Sequence, residues 1–160
     1  MTLGSWAPSV AVALILLGTL ASGPLAIASD RNERVDGVGS GSITVEDVTL
    51  PETVALRQGR YGEDSYYVDV PDAHVQIAAL EGRPVLTYKL AIPELSYTRE
   101  SAFFLGPETG SKMTLSLQRD QLPPEEVTND SYAGELRVVD RTGDESRVLA
   151  NQTVTVEVKR

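Results

Sequence analysis

The carboxyl-terminal stretch "NDSYAGELRVVDRTGDESRVLANQTVTVEVKR", residues 129–160, contains two runs in which apolar and polar residues alternate. In the first run Tyr132, Leu136 and Val138 are separated by polar or small residues. In the second run every other residue from Val154 to Val158 is a valine. A period of two is typical of strands that bury one face. The polar segment "RTGDES" between the runs favours a turn, so the stretch predicts a β-hairpin.

The same period of two continues upstream to Ser42, and no ten-residue window carries a helical stripe. Turn-forming segments such as "QGRYGED", "EGRP" and "GPETGS" separate the alternating runs. Many short strands with regularly spaced turns predict an all-β fold, namely an antiparallel β-sandwich over residues 42–160. The predicted strands are 43–50, 53–57, 65–70, 73–80, 85–92, 97–105, 113–119, 132–140 and 148–158.

Two changes of parity within these runs predict β-bulges, one near Glu46–Asp47 and one near Asn151–Gln152. A bulge restores the facing of the apolar residues on either side of it. A first strand that shifts register in this way can pass from one sheet to the other. Among the aromatic pairs, Tyr66 and Tyr67 are predicted to point to opposite faces of their strand.

The segment "DSYAGELRVV" resembles the penultimate strand of immunoglobulin-like domains, because Tyr132 comes two residues before Gly134. Gly134 stands where antibody domains carry a disulfide cysteine. The resemblance implies that Tyr132 forms a tyrosine corner, in which its hydroxyl binds the backbone a few residues upstream. The chain has no cysteine, and its one tryptophan, Trp6, precedes the strands. The resemblance is therefore to the broad immunoglobulin/fibronectin-like class rather than to antibody domains.

Residues 1–28 carry no charged side chain and contain the apolar run "WAPSVAVALILLGTLASGPLAIA", residues 6–28. Such a run predicts an N-terminal hydrophobic helix that acts as a signal peptide or a membrane anchor. The small residues Ala26 and Ala28 fit the pattern that signal peptidase accepts. The polar, Gly/Ser-rich residues 29–41 are interpreted as a flexible linker.

Cleavage and retention of this N-terminal segment both stay open. The segment lacks the Lys or Arg that usually precedes the apolar core of a signal peptide, and Arg31 and Arg34 follow it. The whole run is also long enough to span a bilayer. Either way the sequence predicts export, to the extracellular space or the cell surface, with membrane attachment through residues 6–28 if they are not cleaved.

The composition excludes several kinds of chemistry. The 160 residues include no cysteine and one histidine, His74, which rules out disulfides, thiolate metal sites and cysteine nucleophiles. The net charge of -9 predicts repulsion of nucleic acids and of anionic membrane surfaces. Only three of the 14 basic residues are lysines. This acidic, lysine-poor composition resembles that of small exported haloarchaeal proteins of unassigned function, and implies a halophilic protein whose carboxylates are screened by salt.

Candidate metal ligands are few. Asp140, Asp144 and Glu145 lie together in the turn of the last hairpin and are weak candidates for calcium, which prefers oxygen ligands. Their spacing does not match an EF-hand, and Arg141 and Arg147 are expected to neutralise the turn. His74 alternates with Val75 and Ile77, so it is predicted to lie on the solvent face of its strand. No other cofactor is indicated.

Two sequons, Asn129-Asp130-Ser131 and Asn151-Gln152-Thr153, predict N-glycosylation at Asn129 and Asn151. Asn129 falls in a loop before a predicted strand, which is the more accessible position. In an exported protein these matches favour a glycoprotein.

These observations favour a non-catalytic, exported or cell-surface β-sandwich domain that binds a protein or envelope partner, or serves as an envelope component. The chain lacks a G-x-S-x-G nucleophile motif and a phosphate-binding loop, so it is not predicted to be an enzyme. One alternative is an accessory subunit of a membrane complex anchored by residues 6–28. Another is a small exported metal-dependent hydrolase that uses loop carboxylates and His74.

Overall fold

The computed structural model describes residues 37–60 and 64–160. The predicted signal peptide or anchor, with Ala26 and Ala28, and most of the predicted linker lie outside the described residues. No helix in the described ranges has the length and apolar character needed to cross a membrane. These ranges contain two short 3-10 turns, at Pro93–Leu95 and Pro124–Glu126, and the following ten strands: β1 Ser40–Thr49, β2 Thr53–Gln58, β3 Tyr66–Asp69, β4 Ala73–Arg83, β5 Val85–Ile92, β6 Tyr97–Phe104, β7 Lys112–Leu115, β8 Asp120–Leu122, β9 Ser131–Asp140 and β10 Arg147–Lys159.

The strands form two sheets, which confirms the predicted all-β class. The smaller sheet has the order β1-β4-β7, and the larger sheet has the order β6-β5-β9-β10-β2-β3-β8. All pairs are antiparallel except β2 and β10, which run parallel with Val54 opposite Val156. The expectation of purely antiparallel sheets was wrong at this pair. After β1 the chain leaves the smaller sheet. It enters the larger sheet as β2, which runs in the same direction as β10.

One apolar core is shared by the two sheets. In β5 the apolar residues that alternate along the strand are fully buried, namely Leu86, Tyr88, Leu90 and Ile92. They belong to the same cluster as Val75 of the smaller sheet. Burial of one such side chain contributes roughly 1.5–3 kcal/mol relative to its exposure to water. The hydrophobic effect therefore holds the two sheets together through these alternating positions.

Both changes of register that the parity predicted are present in the structure. In β1 the pairing with β4 shifts between Val45 and Asp47, as predicted at Glu46–Asp47. In β10 the shift lies between Val148 and Ala150, upstream of the predicted Asn151–Gln152. A bulge anywhere between Leu149 and Val154 restores the inward facing of both residues, so the apolar pattern alone does not fix its position.

The predicted strand 113–119 is too long, and β8 was not predicted. β7 ends at Leu115 and belongs to the smaller sheet, whereas β8 begins at Asp120 and belongs to the larger one. The four residues between them carry the chain from one sheet to the other. The alternating run 113–119 therefore ends one strand and crosses to the other sheet, rather than forming a single strand.

β1 begins at Ser40, inside the segment that was predicted as a linker. Gly41 lies opposite Gly82 of β4, and both glycines have positive φ. A Cβ atom on Gly41 would lie 2.0 Å from the carbonyl oxygen of Glu81. Glycine permits a close approach of the two strands at this position. The Gly/Ser-rich composition of the segment had instead favoured a flexible linker.

Tyr132 makes the backbone contacts that the tyrosine-corner interpretation predicts. Its ring is 4% exposed. Its hydroxyl oxygen accepts hydrogen bonds from the backbone N–H groups of Thr128 at 2.8 Å and Asn129 at 2.9 Å. The loop before β9 is thereby attached to the core.

Candidate functional site

A pocket of about 530 Å³ opens on the larger sheet, where β2, β3 and β10 lie side by side. Its volume falls within the range of small-ligand sites. The pocket is lined by Arg57, Gln58, Gly59, Arg60, Tyr67, Val68, Asp69, Arg119, Lys159 and Arg160. These residues come from the ends of β2 and β10, from β3, and from the residue that precedes β8.

The pocket is strongly basic. Within residues 37–60 and 64–160, the lining contains five of the chain's 14 Lys and Arg residues and one acidic residue, Asp69. The chain as a whole carries a net charge of -9. A concave surface lined with charges of one sign attracts counter-ions more strongly than the net charge would suggest. The pocket is therefore a positive site on an acidic protein.

Strand register places three of the lining side chains in one row. Lys159 of β10 lies opposite Arg57 of β2, and Arg57 lies opposite Tyr67 of β3. Tyr67 in turn lies opposite Gln121 of β8. Register partners project from the same face of a sheet, and neighbouring strands are about 4.8 Å apart. The row runs across four strands on the solvent face, because the adjacent Leu56 and Val68 are buried in the core.

The basic groups differ in their ion pairs. Nε of Arg57 lies 2.7 Å from a carboxylate oxygen of Asp69, and Nζ of Lys159 lies 3.4 Å from one of Glu157. Arg160 pairs with Asp130, and the hydrogen bond to this carboxylate raises the pKa of the guanidinium. Arg119 is exposed and has no ion pair with another residue of the described ranges. Exposed pairs of this kind contribute only about 0–1 kcal/mol, so a ligand anion can replace the protein carboxylates at low cost.

This arrangement suits the binding of anionic groups. Guanidinium groups donate paired hydrogen bonds to carboxylate, sulfate or phosphate, and the lysine adds a point charge. Among the lining residues that the structure describes there is no histidine, serine, threonine or cysteine, and the carboxylate of Asp69 is paired with Arg57. These residues supply positive hydrogen-bond donors.

The three weak calcium candidates have different surroundings. Asp140 is 8% exposed, and its carboxylate accepts hydrogen bonds from the backbone and hydroxyl groups of Thr142 and pairs with Arg147 at 3.1 Å. Asp144 and Glu145 are exposed. Within residues 37–60 and 64–160, no three His, Cys, Asp or Glu residues form a group that could hold a metal ion. The carboxylate of Asp140 instead organises the turn.

His74 is exposed, as its position in the strand predicted, and its Nδ1 lies 3.3 Å from the hydroxyl of Thr114 on the neighbouring β7. It lies on the smaller sheet, whereas the basic pocket is on the larger one. The structure therefore does not bring the histidine to the pocket.

Both predicted glycosylation sites are exposed to solvent. Asn129 lies in the loop before β9, and its carbonyl oxygen accepts a hydrogen bond from Arg160. Asn151 lies within β10, opposite Arg137 of β9. A glycan on Asn129 would therefore stand beside an arginine that lines the basic pocket.

The comparisons with known proteins find no match. No protein-family model, no characterised protein sequence and no solved structure matches this chain. The functional argument therefore depends on the residues and their geometry.

Sequence reasoning missed the basic pocket. Arg57, Tyr67 and Lys159 each occupy an outward position in an alternating run, and that parity is readable from the sequence. Their proximity depends on the parallel pairing of β2 with β10, which nothing in the alternation specifies. Of the five cations that line the pocket, only Arg57 has an outward position inside a predicted strand, so a search of those strands for basic residues would have missed most of the site.

Proposed function

We propose that this chain is a non-catalytic binding domain with an immunoglobulin-like β-sandwich fold, exported to the cell surface or the extracellular space. Its basic pocket binds an anionic group of a ligand or partner. The observation that carries the proposal is the convergence of five Lys and Arg side chains on one pocket of a protein with a net charge of -9. Three of the five pair with protein carboxylates, which a ligand anion would have to displace.

Three features of the topology support the immunoglobulin-like assignment. The first strand pairs in the smaller sheet and the chain then pairs β2 in parallel with the last strand of the larger sheet. The order β6-β5-β9-β10 matches that of the C′, C, F and G strands of such domains. Tyr132 at the start of β9 makes the hydrogen bonds of a tyrosine corner. Domains of this architecture commonly serve in recognition, which agrees with a binding role.

Export is supported by the sequence alone. The apolar run of residues 6–28 ends with Ala26 and Ala28 and is followed by a polar segment. This arrangement is typical of an export signal or an anchor. In the extracellular space the pocket would meet the anionic groups of surface polymers and partner proteins.

Titration with small anions tests the binding proposal. The protein is labelled with ¹⁵N and titrated with inorganic phosphate at constant ionic strength, and the backbone amide shifts are followed. We expect saturable shifts confined to β2, β3 and the end of β10. The double variant Arg57→Gln/Lys159→Gln should lose them, because it removes the two neighbouring positive charges of the row.

The matched control is Arg141→Gln. Arg141 forms an exposed ion pair with Glu100, at 3.2 Å, in another part of the larger sheet. This variant should bind phosphate as the wild type does. Equal shifts over the whole surface, or unchanged binding by the double variant, would show that the pocket is not the site.

A further inference from the structure

We infer that the natural occupant of the basic pocket is an acidic oligosaccharide, whose sugar units carry carboxylate or sulfate groups and which lies across strands β10, β2, β3 and β8. This inference rests on the proposed function and specifies the ligand class of the same site. It is carried by the linear arrangement of the charged and aromatic side chains.

The row of register partners runs across the strands of the sheet and extends past the pocket lining to Gln121. From Lys159 to Gln121 the row of register partners crosses three strand spacings, roughly 14 Å in all. One strand spacing is close to the length of one pyranose unit in an extended chain. Successive side chains of the row are therefore spaced to meet successive sugar units.

The side chains of the row provide positive charge at one end and an aromatic ring and an amide at the other. This combination fits a charged sugar chain. Two cations, Lys159 and Arg57, are followed by the half-buried aromatic ring of Tyr67 and then by the amide of Gln121. Cations pair with carboxylate or sulfate groups. An aromatic ring offers an apolar face to the C–H groups of a pyranose, and an amide donates and accepts hydrogen bonds with hydroxyl groups. Arg119 borders the same row on the β8 side.

Other polyanions fit less well. A nucleic acid extends far beyond the pocket and would meet the acidic remainder of the surface, where its phosphates are repelled. An acidic peptide added as a strand needs a long free sheet edge, and the edge strand beside the pocket, β8, has only three residues. A single small anion would contact the cations of the row but leave the ring of Tyr67 and the amide of Gln121 without a ligand group.

The experiment compares the affinity for anions of increasing length, using the chain and the phosphate titration described above. The probes are galacturonic acid, a galacturonate tetrasaccharide, a sulfated tetrasaccharide of the chondroitin type, and a glutamate tetrapeptide. We expect at least one tetrasaccharide to bind about tenfold or more tightly than the monosaccharide, because several contacts form within one molecule. Which of the two binds better distinguishes carboxylate from sulfate as the recognised group.

Variants of Tyr67 separate sugar recognition from simple charge attraction. Tyr67→Ala should weaken tetrasaccharide binding about fivefold, through loss of the aromatic face, and should leave phosphate binding unchanged. Tyr67→Phe keeps the ring and should retain tetrasaccharide binding. Thermal unfolding of each variant checks that the sheet remains folded.

The outcomes distinguish this inference from the proposed function. If phosphate binds at the pocket but neither tetrasaccharide gains over the monosaccharide, the oligosaccharide inference is overturned and the anion-binding proposal stands. The same conclusion follows if the glutamate tetrapeptide binds as tightly as the better sugar. If no probe, phosphate included, binds to the pocket, both proposals fail.

Discussion

The hydroxyl group of Tyr132 fixes the backbone of a loop to the core. It accepts hydrogen bonds from two successive N–H groups, those of Thr128 and Asn129, while the ring lies among the buried side chains. Phenylalanine would keep the ring in place but leave both N–H groups without this acceptor. Each of these part-buried hydrogen bonds contributes about 0.5–1.5 kcal/mol net to stability.

We therefore expect Tyr132→Phe to lower the free energy of unfolding by about 1–3 kcal/mol, measured by urea denaturation of the protein. The control is Tyr97→Phe. The hydroxyl of Tyr97 donates one hydrogen bond at 3.2 Å to the carboxylate of Asp120, which is partly exposed. The control should therefore have the smaller effect. Equal losses in the two variants would show that the two backbone hydrogen bonds at Tyr132 have no special weight.

Gly134 shows which residue roles can and cannot be read from sequence. A Cβ atom on Gly134 would lie 2.8 Å from Cγ2 of Val156 and 3.2 Å from Cγ2 of Val154. The valines of β10 thus occupy the space that a side chain at this position would need. The role of Tyr132 followed from the resemblance of its segment to immunoglobulin-like domains, which implies hydrogen bonds to the backbone a few residues upstream. The reason for Gly134 lies on the neighbouring strand and emerged only from the structure.

Arg147, the first residue of β10, links the two sheets near the bulges of β1 and β10. Its Nη2 donates a hydrogen bond at 2.9 Å to the carbonyl oxygen of Ile43 in β1. The same group pairs at 3.1 Å with Asp140, whose side chain is only 11% exposed. Ile43 belongs to the smaller sheet and Asp140 to the larger, so one guanidinium bridges both. Arg141 and Arg147 were both expected to neutralise the turn. Arg147 does pair there with Asp140, whereas Arg141 pairs with Glu100 of β6.

We predict that Arg147→Leu lowers the free energy of unfolding by about 1–3 kcal/mol, because it leaves the largely buried Asp140 without its ion pair. Arg141→Leu is the matched control. It removes an arginine of the same turn whose pair with Glu100 is exposed on both sides, so it should cost less than about 1 kcal/mol. Urea denaturation gives both values.

Hydrogen exchange adds an element-level readout to the same variants. In Arg147→Leu the amides of β1 should lose more protection than those of β5, because the lost link ends on β1. A uniform loss of protection, or equal effects of the two leucine variants, would contradict the role of Arg147 as a link between sheets.

Strand positions followed from the sequence far better than strand neighbours did. The period of two located every strand except β8. It indicates only that one face of a strand is buried. It carries no information about which strand lies beside which. The pairing of β2 with β10 joins segments from opposite ends of the folded region, and the basic pocket exists only because of that pairing. The clustering of these residues in one pocket was therefore not predictable, although the residues themselves are present in the sequence.

On the scale of the whole molecule, charge is segregated. Five of the 14 basic residues surround one pocket, while the chain has 23 Asp and Glu residues in total. Acidic side chains outside the pocket repel one another, and this repulsion is stronger in the folded state, where they are closer together. Salt reduces it, since the Debye length falls from about 10 Å at 0.1 M to about 3 Å at 1 M.

The free energy of unfolding should therefore rise between 0.1 M and 1 M NaCl, by on the order of 1 kcal/mol, as screening relieves this repulsion. The comparison variant is Glu125→Gln/Glu126→Gln, which alters two exposed carboxylates of a 3-10 turn and changes the net charge from -9 to -7. It should be more stable than the wild type at low salt and should gain less from added salt. Salting-out of apolar groups and chloride binding at the basic pocket affect both proteins alike, so the difference between their salt slopes isolates the acidic repulsion. Identical slopes would mean that the acidic surface does not limit stability, and the halophilic interpretation of the composition would lose its physical basis.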